Sequence, residues 1–296
     1  MEGFIMTLRH FRVFLAVCSE LNMTAAAGSL HITQSAVSQA ISELESFYGV
    51  RLFERLAKKI YLTQAGETLL HYAQPLLRMN SDLEEELKAQ QRSSLIRVGA
   101  SITVGASILP FLVASFSYKM PMVRIEAIVD NTDKVEKRLL NDQADVGLVE
   151  GDITSPYIVS QPFMNDELVL VCGPDHRFAD WAMVPCSELE KENFIIREVG
   201  SGTRKTFEDV MSAHQLTWQP IWTCNNADTI KAAVAAGIGV SVISRMSVAK
   251  EAKAGELIIK SIDGIRFDRQ YKIVHHKNKY LTQAMTAFID LCLLPR

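Results

Sequence analysis

Apolar residues follow three different rhythms along this 296-residue chain. Over residues 8–21, Phe11, Phe14, Leu15 and Cys18 fall on one face of a helix. Over residues 24–45 the pattern predicts two short helices joined by a tight turn. Thr24 is placed to cap the first, Ala25, Ala26 and Ala27 are strong helix formers, and Leu30 closes it, with His31 and Ile32 in the turn. Thr33 is then the natural N-cap of the second helix, in which Val37, Ile41 and Leu44 recur at steps of four and three as a buried stripe. Its opposite face is polar.

That face carries Gln34, Ser35, Ser38, Gln39 and Ser42, short or amide side chains that can hydrogen-bond base edges and phosphates without bulk. A helical hairpin with a solvated face would read the same way. The residues beyond it favour a helix that sits in a major groove. Residues 49–55 and 60–63 form two strand-like runs around Leu56-Ala-Lys-Lys59, a basic-tipped hairpin or wing that places Arg55, Lys58 and Lys59 for phosphate or minor-groove contact.

From residue 64 to about 91 a long helix is predicted. Leu69, Ala73, Leu76, Asn80, Leu83 and Leu87 alternate steps of four and three, the period of a coiled-coil seam, with Asn80 the polar residue that fixes register. Pro75 predicts a bend, since an interior proline costs about 3 kcal/mol. The seam predicts a dimer, because a small domain that reads about one turn of DNA needs a symmetric partner for a second half-site. A helix packed on its own chain is the alternative.

Gln90-Gln-Arg-Ser-Ser94 is a polar break, read as a hinge. Beyond it strand and helix alternate: strands near 96–99, 123–129 and 145–150 with helices from 104 and over 132–141. A second unit has strands at 168–171, 194–196, 221–223 and 240–243 and helices at 203–213 and 228–236. A last strand at 271–274 and a helix at 281–293 return to the first unit. The order predicts parallel α/β structure in two lobes with a cleft between them.

Ligands of such lobes lie at the carboxyl ends of strands, where helix N-termini present free N–H groups. Three segments fit: Ser101 and Thr103 after the first strand, Asn131 after the second, and Gly200, Ser201, Gly202, Thr203 and Arg204 after residues 194–197. Glycines let the backbone approach a ligand, hydroxyls donate, and Arg204 would neutralise charge, so the set suits a small anion. The competing reading is that Thr103 and Thr203 only cap their helices.

Composition narrows the classes. With 48% hydrophobic and 22% charged residues and no apolar run near the roughly 20 residues of a membrane span, a globular protein with no membrane partner is expected. The first residues lack a basic, then apolar, leader pattern, so a cytoplasmic location is expected. A net charge of −3 confines any DNA contact to local patches. Residues 1–65 carry six basic and five acidic side chains, so placement is the signal.

The five cysteines have no metal-type spacing and read as reduced thiols, with a redox sensor as the sharper alternative. His275 and His276 would point to opposite faces of a strand, which spoils them as a ligand pair. Asp145, Asp166 and Glu167 stand isolated in the sequence, and neither a catalytic set, a metal set nor a cofactor motif is legible.

Residues 11–17, the alanines before Leu30, Ser35-Ala-Val-Ser38, Ile41 with Leu44-Glu45, Gly49, Leu52-Phe53-Glu-Arg55 and Leu62-Thr63-Gln-Ala-Gly66 fall at the spacing of the LysR-type transcriptional regulators. The chain resembles that family over essentially its whole length. Family members often carry Pro at the position of Ser35 and Arg at that of Gln39. The resemblance implies a winged helix-turn-helix over 1–63 and a dimerisation helix over 64–92. It further implies an effector domain like periplasmic binding proteins over 93–296, with lobe I about 95–163 and 268–296 and lobe II about 164–267.

It also implies a regulator that binds double-stranded DNA as a homodimer or homotetramer, modulated by a small anionic metabolite at the cleft positions named above. The Gly-Ser-Gly-Thr-Arg form is similar to that of members responding to sulfur or carbon-assimilation metabolites. A solute-binding protein of the same fold with no regulatory role is the rival, and it would require export.

Overall fold

The computed structural model describes residues 6–56, 59–88 and 95–294. The chain divides into two compact units, the first 1–92 with 278–280 and the second 93–277 with 281–296.

The first unit is built from α1 (Leu8–Glu20), α2 (Met23–Ser29), α3 (Gln34–Tyr48), the hairpin β1 (Phe53–Leu56) and β2 (Lys59–Leu62), and α4 (Gln64–Lys88). Phe11, Phe14 and Val17 of α1, Ala26 and Ala27 of α2, and Val37, Ile41 and Leu44 of α3 close one core. Leu15 and Cys18 are only half-buried, and Val13 and Val17 take the inward places expected for them.

Asn22, not Thr24, caps α2: its Oδ1 accepts from the Thr24 N–H at 2.8 Å and the Ala25 N–H at 3.1 Å. An amide oxygen two residues earlier reaches the free donors of the first turn, so Thr24 is already helical. Thr33 does cap α3, its Oγ1 accepting from the Ala36 N–H at 3.2 Å. The turn between them passes through His31 at φ 55°, and Gly49 at φ 67° ends α3 in the left-handed conformation that glycine tolerates best.

β1 and β2 pair antiparallel from Phe53 opposite Leu62 to Leu56 opposite Lys59. Lys58 lies outside the described residues, as does the side chain of Arg55. α4 continues on both sides of Pro75. Ala73 is buried and Leu69 half-buried against the core of this same unit, so neither belongs to an open seam. The exposed apolar stripe is instead Tyr72, Leu76, Met79 and Leu83, at steps of four, three and four. The side chain of Leu87 and the hinge at 90–94 are outside the described residues.

The second unit runs β3 (Leu95–Ser101), α5 (Ile102–Ser107), α6 (Leu109–Lys119), β4 (Arg124–Asp130), α7 (Thr132–Leu140), β5 (Val146–Glu150) and β6 (Ile158–Cys172). It continues with β7 (Asn193–Arg197), α8 (Gly202–Ala213), β8 (Gln219–Cys224), α9 (Ala227–Ala235), β9 (Ser241–Ser244), α10 (Arg245–Ala254), β10 (Ile258–Lys260), β11 (Phe267–His276) and α11 (Gln283–Leu293). A seven-stranded sheet has the order β10-β6-β11-β5-β3-β4, with β9 also on β6, and β7 pairs with β8.

The sheet is mixed: the expected parallel α/β order holds in its first part, and antiparallel strands join it. β4 and β5 flank β3 in parallel, but β11 is antiparallel to both β5 and β6, and β9 and β10 are antiparallel to β6. The cause is a long two-stranded ribbon. β6 spans 15 residues and β11 spans 10; β11 carries β5 along residues 271–274 and β6 carries β9 and β10 along residues 168–172, so the pair joins the two lobes. Apolar runs marked only the ends of these strands, because polar residues occupy their middle: Asn165, Asp166 and Glu167 face Gln270, Arg269 and Asp268 in register.

Each lobe has its own core. Ile96, Val98, Leu112, Phe116, Leu148 and Phe288 fill the first, and Phe178, Phe194, Phe207 and Phe267 anchor the second. Burial of these large side chains, at roughly 1.5 to 3 kcal/mol each, makes each lobe a firm wall for whatever lies between them.

Candidate functional site

On the first unit the polar face of α3 is open as expected. Gln34, Ser35, Gln39 and Ser42 are exposed and Ser38 is half-buried, while Thr33 is tied up as the cap and meets the Ser35 hydroxyl at 2.9 Å. Gln39 Nε2 donates to Glu43 Oε1 at 2.9 Å, and Glu43 Oε2 faces His10 Nε2 at 3.1 Å. These contacts hold Glu43 below the usual carboxylate range, first through the Gln39 amide and then through His10. They also pre-set the rotamer in which Gln39 presents its amide.

The wing is fixed to α3 by one carboxylate that the sequence showed only as a charge. Glu45 Oε1 accepts from the backbone N–H groups of Leu52 at 2.8 Å and Phe53 at 3.3 Å, and Oε2 faces Arg51 Nη1 at 3.1 Å. Two donors that no ladder satisfies at the start of β1 are thereby paired. Thr63, just after β2 at the same end of the hairpin, donates its hydroxyl to the Arg51 carbonyl at 2.6 Å. Lys59 stands exposed at the first position of β2.

In the second unit the sequence-predicted cleft residues mostly meet, and around a group the sequence did not point to. Glu150 ends β5 with 1% of its surface exposed. Ser101, at the end of β3, donates its hydroxyl to Glu150 Oε2, and Thr103 on α5 donates to Oε1 at 3.2 Å. Thr132 at the start of α7 donates to the Glu150 carbonyl at 3.1 Å. Thr103 is thus no helix cap.

From the other lobe, Ser201, Gly202 and Thr203 bring the start of α8 against the same strand end. A Cβ on Gly202 would lie 2.2 Å from the Glu150 carbonyl oxygen, so only glycine lets the two backbones approach this closely. The Asp133 N–H donates to the Gly200 carbonyl at 3.1 Å, a second link between the lobes. Asn131 is the N-cap of α7, its side chain accepting from the Lys134 N–H at 3.0 Å.

The cation here is Arg269, not Arg204. Arg269 Nε donates to Asp166 Oδ2 at 2.7 Å and Nη1 donates to Thr203 Oγ1 at 2.8 Å, so Thr203 is no cap either. Burial opposes the Arg269 charge, but the fields of Glu150 and Asp166 outweigh it and hold the guanidinium above its ordinary range. Burial likewise pushes the phenol of Tyr271, its strand neighbour, well above the usual tyrosine range. Arg204 turns along its own helix to Glu208 Oε1 at 2.7 Å and over the ring of Trp218, as an i,i+4 partner naturally draws it.

Two donors in this cluster have nothing to bind: Ser201 Oγ, on a residue 2% exposed, and Arg269 Nη2. Buried polar groups of native proteins are nearly always paired, and an unpaired one costs about 1 to 3 kcal/mol. Ser201 sits at the N-cap of α8 and makes no cap bond with its side chain. Both orphan atoms are hydrogen-bond donors, as an oxyanion would require.

The carboxylates that stand isolated in the sequence each acquire a cation. Asp145 takes a two-point bond from Arg97, with Nη2 to Oδ1 at 2.7 Å and Nε to Oδ2 at 3.2 Å. Asp166 pairs with Arg269, and Glu167 with Arg245 at 2.9 Å. Among the described residues no cluster of three His, Cys, Asp or Glu side chains is arranged to hold a metal, and no helix is long and apolar enough to cross a membrane.

Comparison with known proteins places the same two units in one family. Residues 8–67 match the model described as bacterial regulatory helix-turn-helix protein, lysR family, and residues 89–293 match the LysR substrate binding domain. The chain is 33% identical over 286 residues to the HTH-type transcriptional regulator YeiE of Escherichia coli (strain K12), covering 97% of each. It is 32% identical over 290 residues to the RuBisCO operon transcriptional regulator of Allochromatium vinosum, covering 97% of this chain and 95% of that one. Among solved structures it is similar to the Synechocystis PCC6803 CcmR regulatory domain in complex with 2-PG, with a TM-score of 0.64 and 27% identity over 68% of this chain and 96% of that chain.

Proposed function

This chain belongs to the LysR family of transcriptional regulators, with a helix-turn-helix domain ahead of a ligand-binding domain of periplasmic-binding-protein fold, and from that premise we propose which of its residues do the work. The domain limits we propose are 1–63 for the winged helix-turn-helix, 64–92 for the linker helix and 93–296 for the effector domain. The protein works in the cytoplasm and has no catalytic role.

α3 enters the major groove and reads base edges through Gln34, Ser35, Ser38 and Gln39, with Thr33 near the adjoining backbone. Arg55, Lys58 and Lys59 of the wing neutralise phosphates. Two chains associate through the exposed stripe of α4, which gives the two recognition helices the symmetry that a two-half-site operator demands.

The effector is a small anionic metabolite held between the lobes by Ser101, Thr103, Ser201 and Arg269, with Asn131, Gly200, Gly202 and Thr203 shaping the seat. Arg204 lies beside it as support for α8. One observation carries this reading: the orphan donors Ser201 Oγ and Arg269 Nη2, both buried and without an acceptor. That a related regulatory domain was solved in complex with 2-PG supports a small-molecule ligand at this domain.

The test begins with an operator selected from random duplex DNA by the full-length protein. Ser38→Ala with Gln39→Ala should lower operator affinity at least tenfold in a gel-shift titration while the protein stays folded. Thermal-shift screening of small anions should find a ligand whose affinity, measured by calorimetry, falls in Ser101→Ala. Full operator affinity in the first variant would remove α3 from the interface, and full ligand affinity in the second would move the effector elsewhere.

A further inference from the structure

Gln39 is an exposed amide on the polar face of α3, and its two ends are not equivalent. Its Nε2 donates to Glu43 Oε1 at 2.9 Å, while among the described residues nothing donates to its Oε1. An ionised carboxylate can only accept, so the amide cannot turn over without setting its own carbonyl oxygen against a carboxylate oxygen. The chemistry of the pair fixes which atom of Gln39 faces outward.

A pair of side chains four residues apart on an exposed helix is by itself weakly held. Here the carboxylate has a second anchor on another helix. At the start of α1 the Thr7 N–H donates to His10 Nδ1 at 3.1 Å, and the Thr7 hydroxyl lies 2.9 Å from the same atom. Nδ1 is therefore the acceptor of the ring, and Nε2 carries the hydrogen that Glu43 Oε2 accepts at 3.1 Å. Only 13% of the His10 side chain is exposed, which leaves the ring little room to swing. The bonds from Gln39 and then His10 hold the Glu43 carboxyl below its usual range, so it stays an acceptor at neutral pH.

What remains of Gln39 for a base is one acceptor, Oε1, and the second Nε2 hydrogen. In the major groove adenine alone presents the complement, an N6 donor beside an N7 acceptor. Guanine presents the acceptors O6 and N7, and would set O6 against Oε1. Cytosine offers a donor but nothing to take the N–H, and thymine offers O4 only.

Resting on the reading that α3 enters the major groove, we propose that Gln39 reads an adenine, and that Glu43 and His10 are positioning residues that set it against guanine by holding its amide one way round. Because the amide is oriented before DNA arrives, little ordering of this side chain is left for the binding step.

The experiment starts from the operator that the full-length protein selects from random duplex DNA, and takes the position whose base preference Gln39→Ala erases. Adenine should stand there, and guanine in its place should weaken binding by roughly tenfold or more in a gel-shift titration, as expected for one two-point base contact. Unsubstituted purine, which lacks the N6 amine, should weaken wild-type binding by a similar factor, an arm that needs no variant at position 43. Glu43→Ala frees the amide to turn, so affinity for the guanine duplex should rise more than affinity for the adenine duplex, and their ratio should fall towards one. Loss of fold would weaken both duplexes alike and loss of a negative charge would strengthen both alike, so the ratio isolates the positioning. Another base at that position, no loss with purine, or an unchanged ratio in Glu43→Ala overturns the inference and leaves α3 in the groove. If Gln39→Ala erases no base preference, the reading of Gln39 as a base contact falls, and this inference with it.

Discussion

Arg269 Nη1 donates to Thr203 Oγ1 over 2.8 Å, and this bond ties the ribbon that crosses both lobes to the first turn of α8. The same guanidinium is bonded to Asp166, directly opposite it in the β6–β11 register. Any shift of α8 is therefore felt by the β6–β11 ribbon, which both lobes share. Removing one partner of a buried pair of this kind costs about 3 to 5 kcal/mol, so Arg269→Ala would confuse loss of fold with loss of ligand.

Ser201→Ala is the informative substitution instead. Its hydroxyl is buried and bonds to nothing, so deleting it should leave the melting temperature unchanged or slightly raised. Ligand affinity should fall by about tenfold, the worth of one hydrogen bond to a charged group. A variant that melts clearly lower would mean that the hydroxyl has a partner in the free protein.

Glu45 should matter to the first unit out of proportion to its exposed neighbours. Glu45→Ala leaves the N–H groups of Leu52 and Phe53 without acceptors, and a loss of about 1 to 3 kcal/mol is expected in denaturant unfolding of the protein. Glu45→Gln, which keeps an acceptor oxygen, should recover most of it. Equal loss in both variants would assign the effect to charge rather than to the paired backbone.

How much of this the sequence revealed depends on what each residue announces. A helix with a period and a cap is legible, so α3 and its polar face could be read from Thr33, Val37, Ile41 and Leu44 alone. The cap of α2 was not, because Asn22 and Thr24 are both good caps and only the chain path through Leu21, at φ 46°, selects between them. In the cleft, Ser101, Thr103 and the Gly200 to Thr203 segment were visible because they follow strands and open helices. Glu150, Asp166 and Arg269 were not. They sit in strands, where period-two patterning says which face a residue is on but not that β6 and β11 run side by side through both lobes. Arg204 drew attention by adjacency, and the fold spent it on Glu208.

The linker helix gives a prediction in which the corrected stripe matters. Leu76 and Leu83 are 42% and 53% exposed in the single chain, so Leu76→Glu with Leu83→Glu should fold normally and sediment as a smaller species than wild type. Ala73→Glu should unfold the first unit, since Ala73 is fully buried in its core. An unchanged oligomer in the double variant would place association on another surface.

The thiols should be inert in the native protein. Burial pushes Cys18 up to about 12 and Cys172 up to about 11, and raises Cys224 as well, so almost no thiolate is present near neutral pH. Native-state alkylation at pH 8 followed by peptide mass spectrometry should leave these three unmodified. Rapid modification of Cys18 or Cys172 would revive the redox-sensor reading.

A ligand between the lobes is expected to change this protein's grip on DNA. The direct measurement is operator affinity by fluorescence anisotropy, with and without a saturating amount of the anion found by thermal shift, for wild type and for Ser201→Ala. A coupling of about 1 to 3 kcal/mol predicts at least a fivefold change in the wild-type dissociation constant. Ser201→Ala should bind the operator as wild type does without ligand and need correspondingly more ligand to respond. A wild-type affinity that does not move at saturation, or an identical response in both proteins, would contradict the account.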